Sequence, residues 1–366
     1  MKISWFIAHP LDLWQNYILN TYLFYNKKYG GIRFDVCNGE RFHGNTIPPK
    51  KYRKILDRLF FFTSYQNTLY YIWKKHKPTD IVHLQHSYLF PRILNLLDQK
   101  ERPKIIITLR GSDTYCWPWF ISKWTDLYKT KSQFIDAFIV QSNDQKKYLN
   151  KFGVQNEKIW IIPVSSPKIT CKPKTIIKIK TIRLISVFRF TWEKNILGNL
   201  LFIKRLKTKF PNIKYDIYGA GSPKDTAQIY YLIDRFDIKD IVKVNDNMPN
   251  DELKERLNNY NYYLQLSVSE AFGASIIEAQ QRGLVPIVSN MGGIPEIVED
   301  GETGIMRHFD DIDGLVNSLI GLHNDPKKYQ QISNNCINLI NDNYTTENEV
   351  EKLNSLYNNL MNRNCK

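Results

Sequence analysis

The sequence predicts an α/β protein built from two doubly wound domains that face a cleft. Short runs rich in Ile and Val alternate with helical patterns, as in parallel sheets that are covered by helices on both faces. This alternation occurs twice, and a stretch rich in proline and lysine at 163–181 separates the two series. With 366 residues, 43% of them hydrophobic, the chain can form two separate cores.

The first series predicts a Rossmann-like N-terminal domain over residues 1–165, followed by a linker at 166–182. It opens with a strand at Lys2–Ala8, a helix near 13–26 and a strand at Arg33–Val36. Continuous apolar runs predict the later strands Asp80–Leu84, Lys104–Leu109, Ala137–Gln141 and Lys158–Ile162. The substrate that binds this domain would meet the carboxyl ends of these strands.

The second series, residues 183–345, predicts a domain of the same architecture. Its strand candidates are Arg183–Val187, Lys214–Tyr218, Ile241–Val244, Asn261–Leu266 and Pro286–Ser289. Its helix candidates lie near 195–209, 225–236, 251–258, 274–282, 311–323 and 326–341. Residues 346–366 contain a last amphipathic helix, with apolar residues at helical spacing, that could pack back on the N-terminal domain.

Positive charge is concentrated in the N-terminal domain. The whole chain carries +15 at pH 7, and residues 1–165 hold 25 Lys and Arg against 12 Asp and Glu, while the remainder holds 26 against 24. A basic surface of this kind attracts nucleic acid, anionic lipid or a phosphorylated substrate, and charge alone does not choose among them.

Cysteine usage and the N-terminus predict a cytoplasmic protein. The five cysteines lie far apart with no CxxC pair, so neither a zinc site nor a disulfide framework is indicated. The first residues do not resemble a signal peptide, and no apolar run approaches the roughly 20 residues of a membrane span.

The stretch Ser267–Gly304 carries the main functional signal. Glu270 falls just beyond a predicted buried strand, where open α/β sheets bind their ligands. A glycine turn at Gly273 then opens a helix that carries Glu278, and its first N–H groups could receive an anion. An alternative interpretation is a capping box from Ser275 to Glu278, which would serve only the helix.

Cations and glycines follow other strands of the second domain. Arg189 and Lys194 come after its first strand, where an arginine fork and a lysine charge could neutralise a diphosphate. Solvated loop charges are the alternative interpretation. Gly219 and Gly221 form a second glycine turn, although a single GxG is a weak motif.

These residues resemble the family-four group of retaining, GT-B-fold glycosyltransferases, of the glycosyl transferases group 1 type. The carboxylate pair E-x7-E of that family is similar to Glu270-AFGASII-Glu278, and GLVPIVSNMGGIPEIVEDGETG continues the family phrase. The resemblance extends more weakly through Asp80–His83, Arg110–Asp113 and Ile161–Pro163.

The resemblance implies a nucleotide-sugar donor in the C-terminal domain and an acceptor in the N-terminal domain. Glu278 would hold the ribose, Glu270 would lie beside the donor sugar, and no cofactor or metal would be needed. The implied catalytic residues are Glu270, Arg189, Lys194 and Arg110, and the implied donor-binding residues are Glu278, Phe272, Gly273, Ala274, Ser275, Gly219 and Gly221.

The sequence departs from the family pattern at three places. The loop at Ala8–Asp12 lacks the usual glycines, and Phe188 replaces a glycine before the diphosphate arginine. Arg110 stands where the family has a histidine, and its guanidinium cannot act as a base at pH 7 but could bind phosphate or sugar. His83 and His86 could suggest a metal pair, but packing or hydrogen bonding is favoured because further ligands are missing.

The segment Lys50–Lys77 is both basic and aromatic, with eight Lys and Arg and one acid. It is either a domain helix with a solvated face or an interfacial helix that binds an anionic membrane. The resemblance favours the membrane, because such enzymes extend lipid-diphosphate-linked glycans on the cytoplasmic leaflet. Trp117, Trp119 and Trp124 could add to that surface.

The leading hypothesis is therefore a glycosyltransferase that uses a UDP- or GDP-sugar, acts on a glycan or lipid-linked saccharide, and serves bacterial surface polysaccharide or glycan assembly. A nucleotide-sugar epimerase or hydrolase of the same fold would use the same two glutamates. A non-catalytic, basic nucleic-acid binder is the third class, and we expect no nucleic-acid partner.

Overall fold

The computed structural model describes residues 1–7, 16–36, 79–97, 99–174 and 181–362. The chain divides into two compact units, which are Met1–Pro163 with Thr346–Lys366 (unit 1) and Val164–Thr345 (unit 2). Each unit contains a parallel sheet with helices around it, which confirms the predicted fold class. Ala8–Asp12, Lys50–Lys77 and two of the cysteines, Cys37 and Cys365, lie outside the described residues.

In unit 1 the described strands form one parallel sheet with the order β2-β1-β3-β4-β5-β6. The strands are β1 (Ile3–Ile7), β2 (Ile32–Val36), β3 (Ile81–Leu84), β4 (Lys104–Thr108), β5 (Ala137–Val140) and β6 (Ile159–Ile161). The described α-helices that precede unit 2 are α1 (Asn16–Lys28), α2 (Leu94–Leu97), α3 (Ser112–Tyr115), α4 (Ser122–Asp126) and α5 (Asn143–Lys151). Each predicted strand is present within about two residues of its expected bounds.

The middle strands of the unit 1 sheet, β4 (KIIIT) and β5 (AFIV), are mostly apolar because both faces of the sheet are covered. Ile105 and Ile107 pack into one core and Ile106 into the other, since successive side chains on a strand point to opposite faces. A continuous Ile/Val run therefore supplies two hydrophobic cores at once.

In unit 2 the described strands also form one parallel sheet, with the order β12-β11-β10-β7-β8-β9. The strands are β7 (Ile182–Val187), β8 (Ile213–Tyr218), β9 (Val242–Asn245), β10 (Tyr262–Gln265), β11 (Val285–Ser289) and β12 (Ile305–Arg307). The helices are α6 (Ile196–Lys209), α7 (Pro223–Arg235), α8 (Asn250–Arg256), α9 (Ala274–Gln280), α10 (Ile312–His323) and α11 (Pro326–Asn343). The sequence did not predict β12, whose three residues are too few to show a strand pattern.

The strand order of unit 2 defines where a ligand can bind. The chain runs outward from β7 through β8 to β9, and then returns to β10 on the other side of β7. Loops that follow β7 and β10 therefore diverge and leave a crevice at the carboxyl ends of these neighbouring strands.

The last helix, α12 (Thr346–Asn362), belongs to unit 1. Its apolar stripe packs on the core that contains β1, and Lys28 of α1 pairs with Glu347 at 3.2 Å and with Glu351 at 2.9 Å. The indole N–H of Trp5 donates to the hydroxyl of Tyr357 at 3.0 Å. A buried aromatic hydrogen bond thus connects the end of the chain to its first strand.

The described part of the segment predicted as a linker lies against unit 2. The backbone N–H of Lys174 donates to Ser333 at 2.8 Å, and its ammonium donates to three backbone carbonyls between 2.7 and 3.1 Å. Burial lowers the pKa of Lys174 to about 8.

None of the helices in the described ranges combines the length and the apolar character needed to cross a membrane.

His83 is the buried polar centre of unit 1. Its Nδ1 lies 2.8 Å from the Tyr357 hydroxyl and its Nε2 lies 2.7 Å from the Thr108 hydroxyl. Burial, together with the charge of Arg110, lowers the pKa of His83 to about 3. The ring is therefore neutral in the folded protein at physiological pH.

We predict that acid destabilises the fold through His83. Below its ordinary pKa of 6.5, the histidine binds a proton in the unfolded chain before it does so in the folded protein, whose pKa is about 3. Stability is therefore present above pH 6.5 and is lost as the pH falls, by at most about 1.4 kcal/mol per pH unit. Urea unfolding between about pH 7.5 and pH 5.5 measures this loss, and His83→Gln should show a shallower pH dependence. An equal pH dependence in the variant would contradict the assignment to His83.

Candidate active site

The crevice between β7 and β10 holds the first of the two predicted glutamates. Glu270 accepts a hydrogen bond from Gln265 Nε2 at 2.7 Å, and Lys194 Nζ lies 2.5 Å from the same oxygen, Oε2. The side chains of Lys194 and Glu270 are only 14% and 13% exposed. Within the described ranges the other oxygen, Oε1, has no hydrogen-bond partner, so it can accept a hydroxyl from a ligand.

The turn that carries Lys194 is fixed by two asparagines. Asn195 has a left-handed φ of 47°, caps α6 through the N–H of Gly198, and donates to the carbonyl of Leu266 at 2.9 Å. Asn199 donates to the carbonyl of Lys194 at 3.0 Å and accepts from the N–H of Leu266 at 3.1 Å. These bonds hold the turn after β7 against the end of β10. The backbone that carries the Lys194 ammonium is therefore fixed close to Glu270.

Gly292 fixes the backbone of Glu270 from the other side. It has a φ of 59°, and a Cβ at this position would lie 1.9 Å from the carbonyl oxygen of Glu270. The next residue, Gly293, donates its N–H to that same oxygen at 2.9 Å. The Gly-Gly pair of the motif therefore lets the loop after β11 approach the carboxylate residue closely.

The interpretation of Ser275–Glu278 as a capping box is wrong. Gly273, with a φ of 105°, is the residue before α9, and no side chain caps the helix. Ser275 lies inside the helix, where its hydroxyl is 2.7 Å from that of Tyr263 and 3.3 Å from Gln265 Oε1. Its hydroxyl therefore belongs to a buried network under the site. The helix also ends at Gln280, two residues before the predicted end.

Glu278 on α9 has its own counter-ion. Lys254 Nζ lies 3.5 Å from Glu278 Oε1, and the two side chains are 16% and 25% exposed. Arg282 donates to the backbone carbonyl of Glu278 at 3.3 Å. Lys254 was missed in the sequence because nothing in its local pattern distinguishes it from the other charges of α8.

The other predicted donor residues divide into surface and packing positions. Arg189 is 66% exposed and lies 3.9 Å from Glu193, whereas the side chain of Phe272 is buried and meets the ring of Tyr344 edge-on at 5.3 Å. Only the backbone of Phe272 can therefore face a ligand. Phe188 is also buried in the core of unit 2.

Close backbone packing explains the glycines after β8. A Cβ on Gly219 would lie 1.9 Å from the carbonyl oxygen of Phe188, and one on Gly221 would lie 2.6 Å from Cβ of Phe190. The N–H of Phe190 donates to the carbonyl of Ala220 at 2.8 Å. The turn is thus packed directly on the loop that carries Arg189.

Arg110 lies at the carboxyl edge of the unit 1 sheet. Its Nη2 donates to Gln85 Oε1 at 2.8 Å and its Nε donates to the Gln85 carbonyl at 3.2 Å. Asp113, which the sequence did not single out as a site residue, accepts from the backbone N–H of Arg110 at 3.1 Å. Burial raises the pKa of Asp113, and its hydrogen bonds oppose that shift. Asp113 therefore holds the backbone on which Arg110 is presented.

Among the described residues, no three His, Cys, Asp or Glu side chains are placed together so that they could hold a metal ion. Both ring nitrogens of His83 are hydrogen-bonded to hydroxyl groups of unit 1.

Two family sequence profiles match the chain. The profile described as Glycosyl transferases group 1 matches residues 168–338, and the profile described as Glycosyltransferase Family 4 matches residues 27–164. Together they cover most of both units. The two parallel sheets match the fold of solved GT-B glycosyltransferases. The chain belongs to the group 1 glycosyltransferases of family-four type.

Similar curated proteins are longer than the stretch they share with this chain. The UDP-N-acetylglucosamine–peptide N-acetylglucosaminyltransferase GtfA subunit of Streptococcus pneumoniae is 27% identical over 191 residues, which are 50% of this chain and 37% of the relative. The phosphatidylinositol N-acetylglucosaminyltransferase gpi3 subunit of Schizosaccharomyces pombe is 26% identical over 138 residues, 37% of this chain and 30% of the relative. The matched stretch is thus less than half of each relative.

Solved structures match almost the whole chain. Sucrose-phosphate synthase from Thermosynechococcus elongatus has a TM-score of 0.78 at 18% identity and covers 99% of this chain and 100% of its own. HepE from Anabaena, solved in complex with UDP and glucose, has a TM-score of 0.73 at 12% identity with 98% and 100% coverage. These likenesses establish the fold.

We predict that Gly292→Ala damages the site, whereas Gly301→Ala does not. Both glycines have positive φ, 59° and 78°, so both variants carry the strain of about 1–2 kcal/mol that a side chain adds there. Only Gly292→Ala also places a Cβ 1.9 Å from the Glu270 carbonyl oxygen, since nothing lies within 4 Å of that position at Gly301. Transferase activity and urea unfolding measure the effect. Equal losses in the two variants would show that the contact with Glu270 is unimportant.

Proposed function

We propose that the protein transfers a sugar from a UDP- or GDP-sugar to a glycan or a lipid-linked saccharide, with retention of the anomeric configuration. The observation that carries this proposal is the pairing of each motif glutamate with a lysine, Lys194 with Glu270 and Lys254 with Glu278. Carboxylates of this kind accept hydrogen bonds from sugar and ribose hydroxyls, and a lysine at the same edge can meet a diphosphate.

The proposed donor lies in unit 2. Glu278 accepts the ribose hydroxyls, and Glu270 accepts a hydroxyl of the donor sugar through its unpaired Oε1. The backbone at Phe272, Gly273 and Ala274 lines the sugar. The solved complexes of HepE with UDP, together with the streptococcal relative that uses UDP-N-acetylglucosamine, support a nucleotide-sugar donor.

The proposed transfer depends on stabilising the negative charge of the leaving diphosphate rather than on a covalent intermediate with the protein. The acceptor oxygen bonds to the anomeric carbon as the bond from that carbon to the diphosphate oxygen breaks, and the bonding electrons remain on the leaving diphosphate. The acceptor proton passes to a phosphate oxygen on the same face. Lys194 and Arg189 stabilise the charge that builds on the diphosphate, so these cations can serve where other enzymes use a metal. Glu270 is then a positioning residue for the sugar.

The proposed acceptor meets unit 1. Arg110 lines a small cavity together with Gln85 and Gln141, and the buried Gln141 Oε1 has no hydrogen-bond partner within the described ranges. A hydroxyl group of a saccharide would supply the missing donor. We propose a role in bacterial surface polysaccharide or glycan assembly. The streptococcal relative, a peptide N-acetylglucosaminyltransferase, supports glycan assembly as the class of process.

We predict that UDP- or GDP-sugars raise the melting temperature and that Glu278→Ala abolishes this rise. A ligand at about 100 times its Kd stabilises the folded state by about 2.7 kcal/mol, which corresponds to several degrees. A thermal-shift panel of both donor types, with and without EDTA, measures the effect. We expect EDTA to change nothing. A shift that persists in Glu278→Ala would remove this residue from the donor site.

We predict that Arg189→Ala and Lys194→Ala each lower kcat by about a hundredfold, the size of effect seen when one group that stabilises the developing charge is removed. Arg205→Ala is the matched control, because Arg205 is also an exposed arginine of unit 2 in an ion pair, with Asp313. Product analysis separates the alternative classes, since only a transferase needs an acceptor for rapid turnover. Normal rates in both site variants would contradict the proposed role.

We also propose that the protein binds the cytoplasmic face of an anionic membrane peripherally. The segment predicted for this contact, Lys50–Lys77, lies outside the described residues. A described feature supports the same partner, because Trp119 and Phe120 are 65% and 74% exposed. Lys123 follows this pair in the chain, and Lys151 adjoins Phe152, whose ring meets Trp119 at 5.4 Å. Exposed aromatic rings beside lysines suit an anionic lipid interface.

The structure corrects one part of this surface. Trp124 is buried, and the ring of Trp117 packs against it at a tilt of 30° with ring centroids 4.9 Å apart. Of the three tryptophans that the sequence assigned to the surface, Trp119 is the one that is strongly exposed.

We predict that the double variant Trp119→Ser/Phe120→Ser binds anionic vesicles at least about tenfold more weakly than the wild type. Each ring that enters the interface contributes about 1.5–3 kcal/mol if it is fully buried there. Flotation with vesicles of phosphatidylcholine and phosphatidylglycerol at low salt measures binding. The matched control is Tyr230→Ser/Tyr231→Ser, two aromatic residues of α7 that are 55% and 63% exposed. Failure of the wild type to float, or equal loss in both double variants, would contradict the proposal.

A further inference from the structure

Glu278 lies between two cations that the sequence did not assign to the site. Lys254 Nζ of α8 lies 3.5 Å from Glu278 Oε1, and Arg282, in the turn that follows α9, donates to the Glu278 carbonyl at 3.3 Å. The guanidinium also interacts electrostatically with Glu278. The Glu278 side chain is 25% exposed, so its charge is partly removed from water.

A partly buried carboxylate needs compensation if it is to bind hydroxyl groups as an anion. A charge that is partly removed from water is costly unless an opposite charge lies beside it. Lys254 supplies that charge and faces Oε1. In the described ranges the second oxygen, Oε2, has no partner, so it remains open to hydrogen-bond donors.

We propose that Lys254 is the positioning residue that holds Oε1 of Glu278 and so turns the other oxygen, Oε2, toward the ribose of the nucleotide. This inference rests on the proposed function, in which Glu278 binds the ribose hydroxyls. It adds that ribose recognition depends on a residue of α8, the helix between β9 and β10, which approaches α9 only in the folded domain. Lys254 acts through Glu278 and does not bind the diphosphate.

The experiment measures the affinities of UDP and 2′-deoxy-UDP by calorimetry, with GDP and 2′-deoxy-GDP in parallel. The proteins are the wild type, Lys254→Met, Lys254→Gln and Lys254→Arg. Lys254→Gln is a second neutral variant in case the methionine variant does not fold. Lys239→Met is the matched control, because Lys239 also pairs with an acid of unit 2, Asp234, at 2.6 Å, but on an exposed surface.

We expect loss of the 2′-hydroxyl to weaken binding to the wild type about tenfold or more, as for a hydrogen bond to a charged group. In Lys254→Met and Lys254→Gln, the affinity for UDP falls about tenfold, and the penalty for the missing hydroxyl falls below about threefold, because the two changes remove one interaction. Lys254→Arg restores most of the penalty. Lys239→Met behaves as the wild type.

Two results would overturn the inference while leaving the proposed function intact. If the neutral variants keep the wild-type affinity, Lys254 has no role in nucleotide binding. If they lose affinity but keep the full 2′-deoxy penalty, Lys254 acts on another part of the nucleotide. If the wild type binds neither UDP nor GDP, the proposed function itself fails and the inference fails with it. Thermal unfolding without ligand checks that each variant is folded.

Discussion

The pairing of β7 with β10 in the middle of the unit 2 sheet is the constraint on which the candidate site depends. These strands are far apart in the chain, and only their adjacency brings Lys194 within an ion-pair distance of Glu270. Asn195 and Asn199 convert that adjacency into fixed geometry, because both hydrogen-bond the end of β10 at Leu266. The site is therefore built largely from backbone contacts, which position charges more rigidly than long side chains could.

Glu270 and Glu278 are each partly buried, and each is paired with a lysine. A carboxylate that is removed from water is costly unless it is paired. Each glutamate has one lysine at one oxygen, while the other oxygen of each has no partner within the described ranges. The counter-ion offsets part of the desolvation, and the second oxygen is left for hydroxyl groups. Each glutamate thus keeps one oxygen that can accept a hydrogen bond from a hydroxyl group.

Unit 1 is organised around a buried polar centre at His83. Tyr357 of α12 contacts both His83 and Trp5, so the last helix of the chain completes the core around the first strand. Each of these polar atoms would be destabilising if it were buried alone, and together they satisfy one another. The same domain presents Arg110 at its carboxyl edge through the buried Asp113 and through Gln85. The hydrogen bonds that satisfy the core around His83 and those that position Arg110 thus lie close together in unit 1.

The sequence by itself determined the strands, the class of fold and the motif from Glu270 to Glu278, because alternating apolar runs and glycine turns are local signals. It did not determine β12, which is too short to show a period, or the function of Ser275, whose hydroxyl is held by Tyr263 from another element. Lys254 was likewise hidden among ordinary surface charges. Only the tertiary structure decided which lysine faces which glutamate, because strand order, and not chain position, determines the neighbours of a side chain at the edge of a parallel sheet.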